Sequence, residues 1–140
     1  MAACTDILKF LDDYLDAPSI DDYCPNGLQV EGRKEIRKIV TGVTACQLLI
    51  DRAAELGADA LLVHHGIFWK GDDMRLVSMK RRRVGALISS DMSLIAYHLP
   101  LDMHPKIGNN ACLAAAIGMV PDDGAVLHGR VIAPVGNLRE

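Results

Sequence analysis

The sequence predicts an α/β fold: a mostly parallel sheet flanked by helices in three layers. Strand-length apolar runs at residues 36–43, 60–63 and 93–98 alternate with helix-period stripes at 45–56 and 75–90. Strand-helix-strand spacing of this kind implies parallel pairing through a right-handed crossover. Half of the 140 residues are apolar, which suits a sheet covered on both faces or surface buried in an oligomer. At this length the whole chain, 1–140, reads as a single α/β lobe.

The elements follow in order. Residues 4–16 carry Ile7, Leu8, Leu11, Tyr14 and Leu15 on one stripe, with Thr5 or Asp6 as cap and Pro18 as stop. Asn26-Gly27 is a strong turn pair, and the alternation over 28–32 suggests a short edge strand. Residues 36–43 form the first sheet strand. Thr44 caps the helix over 45–56, whose buried side is Cys46, Leu49, Ile50, Ala53 and Leu56, and Gly57 closes it. Residues 60–63 form the second strand. Leu76, Met79, Val84, Leu87 and Ile88 mark a helix over 75–90, and 93–98 is the third strand. Pro100 and Pro105 stiffen the loop after it. An alanine-rich helix over 110–117 and one more strand over 124–134 complete the chain.

Composition excludes several classes. The net charge of -3 leaves no global basic field for nucleic acid, which is not an expected partner. The longest clean apolar stretch, 111–120, is far short of a membrane span. Cys4, Cys24, Cys46 and Cys112 form no C-x-x-C, and no signal peptide is visible, so free thiols in a cytoplasmic setting are expected. Cys46 and Cys112 read as small core residues. Phosphate-binding glycine loops and a G-x-S-x-G elbow are missing, which argues against a nucleotide P-loop and a serine hydrolase.

The chemistry concentrates at 58–72, where an apolar strand runs into His64-His65-Gly66 and then Phe68, Trp69 and Lys70. Functional residues of open parallel sheets collect past the carboxyl ends of the strands. Successive side chains within a regular strand point to opposite faces, but at a strand end the backbone turns, and Gly66 lets it turn freely. Both imidazoles can then face one cleft and hold a metal ion; the competing reading is a hydrogen-bonded rim histidine. Imidazole suits several transition metals and does not name one. The loop after the third strand emerges at the same sheet edge, which makes Asp102 the candidate carboxylate beside the pair. Lys70 and the run Lys80-Arg81-Arg82-Arg83 are the groups a phosphate-containing small molecule would meet, although a basic run on a helix is more often a solvated face.

Taken together, Pro25-Asn26-Gly27-Leu28-Gln29-Val30-Glu31-Gly32, Val63-His64-His65-Gly66 with Phe68-Trp69, Tyr97-His98-Leu99-Pro100-Leu101-Asp102 and Gly108-Asn109-Asn110 resemble the NIF-three-like family, often labelled GTP cyclohydrolase type-two homologues. The resemblance covers roughly residues 5–120. It implies two related α/β lobes, a toroidal homohexamer and a dinuclear centre of two divalent ions (zinc, iron or manganese) per full-length subunit. His64, His65 and Asp102 match metal ligands of the amino-terminal lobe; His98 and His104 lie nearby and are not counted as ligands. The family's further ligands follow a His-x-x-x-Glu pattern that this chain lacks, since the candidate His128 is followed by Ile132 at that spacing. A fragment of a longer product is therefore expected, with the carboxyl-terminal lobe absent. The implied activity is metal-dependent hydrolysis of a phosphoester, amide or ring carbon–nitrogen bond. The alternatives are a metal-binding regulatory or interaction protein without turnover, and a metal-storage or chaperone role.

Overall fold

A computed structural model describes residues 1–127 and 129–138. The chain divides into two compact units, Met1–His98 and Leu99–Glu140.

The first unit begins with strand β1 (Ala2–Ala3), helix α1 (Cys4–Leu15) and a short 3-10 turn at Ala17–Ser19. Strands β2 (Gly27–Val30), β3 (Glu35–Ile36) and β4 (Ile39–Thr44) follow, then helix α2 (Gln47–Glu55), strand β5 (Ala60–His65), helix α3 (Ser78–Ser89) and strand β6 (Ser93–Ala96). Four of the strands make one sheet in the order β2-β6-β5-β4; β4, β5 and β6 run parallel and β2 closes the edge antiparallel. This is the mostly parallel sheet with flanking helices that the sequence predicts, with the short 28–32 segment at its expected edge.

β6, flanked on both sides, is buried along its whole length and so shows no alternation. Leu61, Leu94 and Ala96 meet Ile50 of α2 and Leu87 of α3 in the core. Each fully buried leucine or isoleucine there contributes about 1.5–3 kcal/mol.

Details of the elements differ from the sequence reading. The stretch 36–43 is not one strand: β3 pairs with β1, and the ladder breaks at Arg37 and Lys38. Their amides donate instead to Asp59 Oδ2, at 2.7 and 2.8 Å. Thr44 does not cap α2; it ends β4, and Cys46 is the residue before the helix. Cys46 is half-buried and Cys112 exposed, while Cys4 and Cys24 are the buried thiols, because α1 and the 22–26 loop turn those two inward.

The second unit holds helix α4 (Leu99–Asp102), helix α5 (Asn109–Ala116) and strands β7 (Met119–Leu127) and β8 (Arg130–Leu138). The residues after Pro100 thus form a one-turn helix rather than a plain loop; proline near a helix start lacks only an amide that would be unpaired anyway. The single strand expected over 124–134 is an antiparallel hairpin. Its closing pair is Leu127 with Arg130, and Gly129 at φ +79° lies in the turn inside the stretch read as continuous. His128 lies outside the described residues. Among the described residues no helix is long and apolar enough to cross a membrane.

Candidate metal centre

β5 carries both histidines as its last two residues. Its two neighbours treat that end differently. Toward β4 the register runs on to Thr44 opposite His65, whereas toward β6 it stops at Val63 opposite Ala96. The carbonyl of Tyr97, just past the end of β6, accepts a hydrogen bond from His64 Nδ1 at 3.1 Å. The two rings consequently stand on one side, their centroids 4.3 Å apart, despite sitting at successive strand positions.

His98 completes the group. Its ring lies 5.0 Å from that of His64 and 5.7 Å from that of His65. One nitrogen from each of the three imidazoles can be chosen so that all lie within 4.8 Å of one another. His64 and His98 are buried, at 9% and 6% exposure.

Each ring is aimed through Nδ1. A carbonyl only accepts, so His64 Nδ1 carries the proton that it donates to Tyr97, and Nε2 is left with the lone pair. His98 Nδ1 donates to Asp22 Oδ1 at 3.0 Å, a carboxylate–imidazole pair of the kind that fixes a ligand's tautomer and ring orientation. His65 Nδ1 lies 3.0 Å from Thr44 Oγ1, whose hydroxyl serves either tautomer.

The loop before β2 supports this arrangement. Asp22 also accepts from the Cys24 amide and from Asn26 Nδ2, both at 3.1 Å, and Asn26 Oδ1 accepts from the His98 amide at 2.8 Å. Gln29 spans the next gap: its Nε2 donates to Pro25 O at 2.9 Å and its Oε1 accepts from the Ile67 amide at 2.8 Å. Gly66 is therefore present for close approach and not for turning. Its φ is not positive, and an added Cβ would overlap the Gln29 amide. Burial pushes the Cys24 thiol up, against the opposing hydrogen bond from Gln29.

Of the residues singled out from sequence, His64 and His65 come together, and His98, not counted as a ligand there, is the third member of their cluster. The signal was in the parallel register: Val63 opposite Ala96 puts His98 level with His65 two residues on. Asp102 belongs to the second unit, at the end of α4, where its Oδ1 accepts from Asn109 Nδ2 at 2.8 Å. In the same unit His104 Nδ1 accepts from the amides of Lys106 and Ile107. Lys80 pairs with Asp72 and its Nζ lies 5.5 Å from the Phe68 ring centroid.

A model of the Duf34/NIF3 (NGG1p interacting factor 3) family matches residues 2–128. A curated relative from Pseudomonas aeruginosa, named GTP cyclohydrolase 1 type 2 homolog, is 57% identical over 140 residues, covering 99% of this chain and 55% of that protein. A protein of the same name from Escherichia coli K12 is 52% identical over 137 residues, covering 96% and 56%. The solved structure of ybgI, described as of unknown function, superposes with a TM-score of 0.86 at 49% identity, over 88% of this chain and 50% of that one. The structure of TTHA1606 from Thermus thermophilus gives 0.81 at 35% identity, over 92% and 53%. The chain spans about half the length of the curated relatives it matches.

Proposed function

This chain belongs to the Duf34/NIF3 family, and from that premise we propose that it binds a divalent cation at His64, His65 and His98 and contributes this site to a metal-dependent hydrolase. The observation that carries the reading is the convergence of three imidazoles, with donor atoms within 4.8 Å and two of the rings oriented through Nδ1 by Tyr97 and Asp22. The donor set fits the group: imidazole nitrogen suits zinc or iron better than magnesium or calcium. Asp102 is proposed as a further, anionic ligand on the family resemblance, with manganese then also admissible and a second ion completing the dinuclear centre in the full-length subunit. A cation held there would supply Lewis acidity, polarising the bond under attack and acidifying water toward neutral pH. The chain's own part is to present the imidazoles of His64 and His98 in directions fixed by Tyr97 and Asp22.

The test is elemental analysis of the full chain purified without a metal-affinity tag. Wild type should carry stoichiometric metal, and His64→Ala should lose it with an unchanged circular-dichroism spectrum. Metal retained by His64→Ala, or missing from wild type supplied with zinc and iron, sinks the reading. For catalysis, a panel of esters and nucleotides should show turnover that Asp102→Ala abolishes.

A regulatory or interaction role for the same cation is the second reading. It is favoured by Val43 and Leu48, exposed to 67% and 80%, apolar surface suited to an oligomer such as the toroidal homohexamer. Stoichiometric metal without turnover on any substrate of the panel would select it.

A further inference from the structure

We propose that Tyr23 and Trp69 form a stacking wall beside the histidine cup, and that the ligand brought to the cup carries a flat heteroaromatic ring of nucleobase size. The proposal takes the cup as the reaction site and adds the class of molecule it receives.

Aromatic side chains are scarce here, at two Phe, three Tyr and one Trp in 140 residues. Two of these six stand at the cup. Tyr23 and Trp69 are neighbours, their ring centroids 5.9 Å apart at 33° to each other. Both meet the His98 ring nearly at right angles, Tyr23 at 5.0 Å and 72°, Trp69 at 5.1 Å and 85°. Trp69 is also 6.0 Å from His65. Both rings therefore border the cup.

Core packing does not account for this placement. The adjacent Phe68 packs against the buried core, whereas Tyr23 is 52% exposed. The two backbone segments are joined next to the rings: the Lys70 amide donates to Tyr23 O at 2.7 Å, and the Asp72 amide donates to Trp69 O at 3.1 Å in a turn through Gly71. A preorganised aromatic surface beside directed donors binds planar rings through their π faces, whatever the substituents. Aliphatic acids lack the face that would use it.

Trp69 is the single tryptophan, so its fluorescence reports the event directly. The full chain, loaded with zinc, is titrated with adenosine and guanosine, with ribose as the ring-free control. Saturable quenching by the nucleosides and none by ribose is expected. Equilibrium dialysis with labelled nucleoside then follows the variants: Trp69→Ala and Tyr23→Ala should weaken binding roughly 5- to 150-fold, the span for one base–aromatic stack, and Trp69→Phe should retain most of it. Zinc content should not change in any of the three. A zinc-loaded protein that neither nucleoside quenches, or a Trp69→Ala protein that binds nucleoside like wild type, overturns the wall while leaving the metal reading intact. Nucleoside binding by a protein that takes up no zinc supports the wall and removes the metal reading.

Discussion

Gly66 and Gln29 show how single positions decide the site. The Gln29 amide is held at both ends, to Pro25 and to Ile67, and lies against the one residue after the histidines that has no side chain. Gly66→Ala forces a pinned amide to move, so it should lower stability by about 1–3 kcal/mol, the cost of overpacking a filled space, and reduce metal occupancy. In a Gln29→Ala background the same substitution has room, and the two changes should be strongly non-additive. Urea unfolding of the four proteins of this cycle measures the coupling; additive losses would mean that the two residues do not meet. Gly66 was legible in the sequence as important but for the wrong reason. A glycine after a strand suggests conformational freedom, and only its neighbour across the fold reveals a steric demand.

At the level of elements, the join between β3 and β4 depends on one carboxylate. Asp59 is buried, accepts both the Arg37 and Lys38 amides and pairs with Arg33 at 2.8 Å. These two amide hydrogen bonds, ahead of the nearby guanidinium, hold its carboxyl below the usual carboxylate range despite burial. A carboxyl with a lowered folded value contributes stability that is present above its unfolded pKa near 3.9 and is lost as pH falls through the folded value. Asp59→Asn should therefore be less stable than wild type at pH 7 by about 1–3 kcal/mol and lose less on acidification below about pH 4. Urea midpoints at pH 7 and pH 3 decide it; parallel acid losses in the two proteins would contradict this account. The break was not visible in residues 36–43, whose pattern is that of one strand, because its cause is a side chain some twenty residues away. Helix α1, strand β5 and the edge position of β2 were legible; α3 was legible as a helix, but of its expected buried side only Val84 and Leu87 are buried, while Leu76, Met79 and Ile88 are exposed. The hairpin β7–β8 was not, since its turn carries no Asn-Gly or Asp-Gly pair.

For the molecule as a whole, half the residues are apolar, and large side chains such as Phe10, Val43 and Leu48 stand in solvent at 62%, 67% and 80% exposure. Proposed self-association would cover such surface, and sedimentation of the full chain should then give a mass several times 15.2 kDa; a monomer at micromolar concentration would exclude it for this chain. The histidine doublet was readable from its place after an apolar strand, but the third imidazole and the loop that aims it required the register of the sheet. That dispersal has a thermodynamic consequence. The donors and their supports come from residues 22–29, 44, 64–65 and 97–98, stretches that an unfolded chain holds far apart. A cation recognising all of them together binds the native state and not the random coil, and at a hundred times its dissociation constant it adds about 2.7 kcal/mol to the unfolding free energy. The ion would then be a clasp on the tertiary structure, and starving the protein of it would loosen the fold before any reaction was missed.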